Sequence, residues 1–160
     1  MPAVRGAALV RLAAQGGHLT LHAGQDRAAL RAQWRAAWER HRAGLPLEPL
    51  QAQMAALVGR HPEYQPLLGA MPSDGEAESS AFMHLALHMA LAEQLGTDRP
   101  PGIRALRERL AAREGDTHVA EHRMMDVLAR VLWDAQRSGQ MPDERAYFES
   151  LRRLEGAIAR

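Results

Sequence analysis

Residues 81–95 read Ala-Phe-Met-His-Leu-Ala-Leu-His-Met-Ala-Leu-Ala-Glu-Gln-Leu. Phe82, Met83, Leu85, Leu87, Met89, Leu91 and Leu95 surround the helical wheel of this stretch, and a helix apolar all round belongs at the centre of a fold. Its polar side chains are His84, His88, Glu93 and Gln94. His84 and His88 stand one turn apart, about 6 Å from each other on a face shared with Leu91 and Leu95, whereas Glu93 points nearly the opposite way. Two imidazoles at that spacing can each direct a ring nitrogen at one ion, as helical metal sites do.

Outward from this helix the punctuation stays helical, with Pro and Gly between segments and almost no period-2 alternation. Upstream, Ser79 or Ser80 is the expected N-cap, and Ser73 to Glu78 reads as a polar loop. His61-Pro62-Glu63-Tyr64 opens a short helical turn that stops by Gly69 or Pro72, preceded by a helix from about Glu48 to Gly59. Asp26 is placed to cap a first helix carrying Leu30, Trp34, Ala37, Trp38 and His41 at helical spacing, ending near Gly44 and Pro46. Downstream, Gly96 ends the central helix and Pro100-Pro101 start the next at Ile103. Gly115 closes that one beside Asp116, the cap of an amphipathic helix from Thr117 to about Arg137. Pro142 and Asp143 begin a last helix with Tyr147, Phe148, Leu151 and Leu154 on one stripe. The expected fold is all-α, a compact single-domain helical bundle of about five to six helices over residues 26–157. Residues 1–25, with Arg5, Arg11, four glycines and no carboxylate, are expected to be a flexible extension. Their apolar run is broken by Arg11 and lacks a small-residue cleavage site, which argues against export.

The 160 residues, 46% apolar, suit one ordinary domain with a single core. Twenty basic against nineteen acidic residues leave +1, so no net field draws the chain to nucleic acid or to an anionic membrane. Every basic residue is Arg, which reads as codon bias rather than function. The absence of Cys excludes a disulfide framework, thiolate ligands and a cysteine nucleophile. No apolar stretch approaches the roughly 20 residues needed to span a bilayer, so a soluble, cytoplasmic protein is expected.

A second pair repeats the first spacing: His118-Val119-Ala120-Glu121-His122. If Met124, Met125, Leu128, Val131 and Leu132 form the buried stripe of that helix, then at roughly 100° per residue Glu121 falls near the stripe's middle and His118 at its edge. An inward carboxylate is costly unless cations or donors meet it. His118, His122 and the pair on the central helix are the expected partners, with or without a metal. Two facing helices with one His-x-x-x-His pair each make His84, His88, His118 and His122 candidate ligands of zinc or iron, a nitrogen and oxygen set that calcium does not favour. The competing reading is a buried hydrogen-bond network that fixes helix register in a non-catalytic interaction protein. The order H-x-x-E-H also matches inverted zinc proteases, in which the Glu is the general base for metal-bound water. Those enzymes need a later ligand and a far larger scaffold, with only Glu144 and Glu149 as donors here, so a peptidase is not expected, while metal-assisted hydrolysis of a smaller substrate, or redox chemistry, stays open beside a non-catalytic role. Glu121 is expected to be a further ligand or the group that orients one and, if the site keeps an open position, is the candidate catalytic base.

Several stretches resemble the bacterial family known as domain of unknown function 1841. They are His41 to Leu50, His61-Pro62-Glu63-Tyr64, Phe82 to Gln94 with Thr97 to Leu106, Gly115 to Met125, and Pro142 to Leu154. The resemblance spans about Gln33 to Leu154. It implies that His84, His88, His118, Glu121 and His122 belong to the family's signature, and it implies no activity, since the family has none assigned. Where the family pattern has a His after Pro-Glu-Tyr this chain has Gln65, and where it has Asn-Pro before the central helix this chain has Ser79-Ser80-Ala81.

The remaining candidates have plainer readings. Trp34, Trp38 and Trp133 are expected to be core or homodimer anchors, and Met83, Met89, Met124 and Met125 packing residues. Thr97 to Pro101 reads as a helix-connecting turn. Arg104, Arg107, Arg109 and Arg113 read as a solvated face.

Overall fold

The computed structural model describes residues 21–71 and 75–157, with side chains from Arg27 to Gly156. Among these residues there are seven α-helices and no strand. They are α1 (Leu21–Arg42), α2 (Pro49–Gly59), α3 (Gln65–Gly69), α4 (Glu76–Thr97), α5 (Ile103–Glu114), α6 (Thr117–Ser138) and α7 (Glu144–Ala157), with a 3-10 turn at Pro62–Tyr64. The all-α expectation holds, but the count exceeds five to six. Pro66 occupies the first turn of α3, where its missing N–H costs nothing, so the short turn after His61 becomes a 3-10 turn followed by a separate helix. The flexible extension expected over residues 1–25 falls mostly on 1–20, outside the described residues. From Leu21 the chain is already helical, so Asp26 lies within α1 and is not its cap. Gly24 weakens a helix by about 1 kcal/mol without ending it.

The chain divides into two compact units, with the boundary between Ala86 and Leu87 inside α4. In residues 21–86, α1 packs against α2 and α3. Trp34, Ala37 and Trp38 lie at i, i+3 and i+4 on α1 and are buried, as are Met54, Val58 and Leu68. Pro49 opens α2 and a Glu48–Gln51 capping box closes its free N–H groups.

Helix α4 starts at Glu76, ahead of the expected Ser79 or Ser80 cap. Glu78 is therefore a helical residue rather than a loop residue, and only 3% exposed. Arg35 of α1 meets its carboxylate at 2.9 Å and Arg31 at 3.6 Å. Both guanidinium groups also lie over the Phe82 ring, 5.3 and 5.4 Å from its centroid. This buried ion pair supplies the fixed start that the sequence assigned to a serine cap.

In residues 87–157 one core joins the rest of α4 to α5, α6 and α7. Leu87, Ala90 and Leu91 pack with Ile103, Leu106 and Leu110 and with Met124, Leu128, Tyr147 and Leu151. Buried Tyr147 donates its hydroxyl to Gln94 Oε1 at 2.8 Å, and burial raises its phenol above the usual range. The turn after α4 is the connector expected from Thr97 to Pro101. Asp98 accepts from the backbone N–H groups of Gly102 and Arg104 at 3.2 and 3.0 Å, while Arg104 donates back to the carbonyls of Leu95 and Gly96. Asp116 caps α6 as expected, accepting from the N–H groups of His118 at 2.6 Å and Val119 at 3.1 Å. The arginine face expected to be solvated is exposed at Arg104, Arg109 and Arg113 and is corrected at Arg107, which is half-buried. Arg104 ties α5 to the end of α4, Arg107 turns toward α6, and Arg109 and Arg113 bind Glu155 of α7. Trp133, expected to be a core or homodimer anchor, is 58% exposed and so is not a core residue.

Candidate metal centre

The cap at Asp116 sets the phase of α6 and puts His118 and His122 in its first two turns, on the side that meets α4. Opposite them, His88 of α4 is 2% exposed. Its ring stacks on that of His118, centroids 5.2 Å apart and planes 12° apart. Its Nε2 lies 3.0 Å from Nε2 of His122. The centroids of His118 and His122 are 4.1 Å apart. One ring nitrogen from each of these three residues falls within 4.8 Å of the others.

Those separations can be set against coordination chemistry. With zinc–nitrogen bonds of 2.0–2.1 Å, tetrahedral ligands stand about 3.3 Å apart, and two donors on opposite sides of one ion stand no more than about 4.2 Å apart. The 3.0 Å pair is thus near ligand spacing already, and separations of up to 4.8 Å close to tetrahedral spacing by rotamer adjustment of at most about 1.5 Å. The same 3.0 Å contact is an N–H···N hydrogen bond when one of the two nitrogens carries a proton. Three neutral imidazoles supply nitrogen donors with no charge, a set that suits zinc or iron.

The fourth ring of the sequence pattern, His84, packs against two aromatic neighbours. It stands edge-on to His61, centroids 4.7 Å apart, and to Tyr64 at 5.5 Å. His61 is 2% exposed and its Nδ1 lies 2.7 Å from the exposed carboxylate of Glu63. That hydrogen bond holds the Glu63 carboxyl below the usual range. Burial raises the Tyr64 phenol. The His61–Glu63 pair was missed in the sequence although the spacing across Pro62 was visible.

Glu121 points inward as expected, its side chain 12% exposed. Among the groups that meet it is Arg107 of α5, Nη1 to Oε1 3.5 Å, a residue the sequence reading left on the solvent side. A signal was present. Ile103, Leu106 and Leu110 form the buried stripe of α5, and position 107 is i+4 from the first and i−3 from the last.

The family model described as Domain of unknown function (DUF1841) matches residues 26–153. The chain belongs to this family. In this DUF1841 chain the match takes in all the candidate residues, His84, His88, His118, Glu121 and His122, together with Arg107, and starts seven residues before Gln33. Comparison with curated proteins and with solved structures found no match.

Proposed function

We propose that this DUF1841 protein binds a divalent transition metal, zinc or iron, through His88, His118 and His122. The convergence of three ring nitrogens within 4.8 Å, one of them on a residue 2% exposed, carries the reading. Three protein nitrogens are a donor set that catalytic zinc sites use, with the fourth position left to water. A divalent ion held at this site would supply Lewis acidity and activate water, and metal-assisted hydrolysis is the matching reaction class. Glu121, between two of the ligands in sequence and mostly buried, is the candidate general base.

A second reading rests on the 3.0 Å contact of His88 with His122. As a hydrogen bond it would pin α4 to α6 within a non-catalytic interaction protein. Elemental analysis by plasma mass spectrometry separates the two, using tag-free protein purified without chelator or added metal. Near-stoichiometric zinc or iron, lost in a His88→Ala/His122→Ala variant, is the expected result. Metal-free protein that shows no thermal shift with zinc or iron would favour the hydrogen-bonded pair.

A further inference from the structure

We propose that Arg107 is an oxyanion-binding residue and that the metal centre accepts a small substrate bearing a carboxylate or phosphate group. The inference rests on the metal reading above and names the substrate class of that same site.

Arg107 is poorly used where it stands. A guanidinium has five N–H donors in a rigid fork and binds carboxylates best through two parallel bonds. Arg107 makes a single long contact, Nη1 to Glu121 Oε1 at 3.5 Å. Its Nε is buried, and among the described residues nothing accepts its hydrogen bond. Leaving such a donor unmet carries the cost of its desolvation with nothing in return. The Arg107 side chain is nonetheless 26% exposed, so part of it is open to solvent.

Position gives that donor its use. Glu121 is i+3 from His118, so their Cβ atoms lie about 5–6 Å apart on α6. Arg107, in contact with Glu121, thus meets the turn of α6 that carries His118 and His122. Charge points the same way. Three neutral imidazoles leave the full double charge of a divalent ion on the centre, and the charge of Glu121 is already balanced by Arg107. An oxyanion with one oxygen on the metal and another on Arg107 neutralises the excess and satisfies the unused donors. A neutral substrate would do neither.

The test uses the full chain loaded with cobalt(II), whose visible absorption reports its coordination sphere, titrated in separate arms with acetate, inorganic phosphate and chloride. Cobalt uptake is read first; failure to bind cobalt, zinc or iron would refute the metal reading and this inference with it. Given uptake, acetate or phosphate should shift the bands of the wild-type protein, with the stronger of the two naming the substrate group. The midpoint should weaken by about tenfold or more in Arg107→Gln, as expected for loss of a charge-assisted bond, while cobalt uptake and the response to chloride stay the same. Arg107→Lys, which keeps the charge and loses the fork, guards against misfolding of the Gln variant and should fall between the two. Bands unmoved by both oxyanions, or equal midpoints in wild type and both variants, would overturn the proposal and leave the metal site standing.

Discussion

Glu78 and Glu121 are both carboxylates drawn inward and met by arginine, yet their surroundings differ enough to give them different weights. Glu78 is 3% exposed and its partner Arg35 only 12%, at 2.9 Å. Removing one member of such a pair strands the other charge in the interior. Glu78→Ala is therefore expected to lower the free energy of unfolding by about 3–5 kcal/mol, read by urea denaturation. Glu121→Gln faces a longer, wetter contact with Arg107 and should cost about 1 kcal/mol or less. A loss in Glu78→Ala no larger than in Glu121→Gln would contradict this account of the α4 start. The same two residues show what the sequence could carry about the site. The inward turn of Glu121 was legible because an apolar stripe surrounds it in register. The burial of Glu78 was not, because a carboxylate in a polar run next to helix-capping serines has the local signature of a solvated loop. Its partners are more than forty residues away on α1. The identity of the group opposite Glu121 was lost for a related reason: a helix with arginine on every side masks which of them faces inward.

Among the elements, helices bounded by local chemistry were read nearly to the residue. Gly115 and Asp116 delimit α5 and α6 through their own backbone and side chain, so no distant contact is needed to place those ends. Helix α4 began early and α3 appeared as an extra helix because tertiary contacts and a second proline decided them. Asp98 offers a test of this local control. Hydrogen bonds from the backbone N–H of Arg104, and then of Gly102, hold its carboxyl below the usual range. The folded value thus lies below the unfolded one, near 3.9, and the stabilisation from this cap is complete above that pH. It is lost as the pH falls through the lower, folded value. Melting temperatures measured between pH 6 and pH 2.5 should fall less steeply below about pH 4 in Asp98→Asn than in the wild-type protein. Glu155, held low mainly by Arg109, keeps part of the slope in both. Identical acid profiles for the two proteins would show that Asp98 does not stabilise the start of α5 through its charge.

For the whole molecule, an all-α class followed from composition and from the continuous apolar wheel of 81–95. That same continuity hid the division at Ala86 and Leu87, since an unbroken helix carries no composition change at the boundary. What joins the molecular scale to the site is linkage. A metal held by His88 on α4 and by His118 and His122 on α6 requires both helices in place, so it binds the folded chain in preference to the unfolded one. At free zinc about a hundred times the dissociation constant, that preference adds about 2.7 kcal/mol to stability. For a chain of this length each kcal/mol moves the melting temperature by about 2–4 °C, which sets an expected rise of roughly 5–10 °C on zinc addition. Excess chelator should return it to the metal-free value. The His88→Ala/His122→Ala variant should start lower, having lost the 3.0 Å contact, and should respond to neither treatment. A purely hydrogen-bonded pair predicts the same lower starting point but a wild-type melt indifferent to zinc and chelator. The difference between wild type and variant in the response to metal, rather than in the starting temperature, decides between a coordination site and a structural brace.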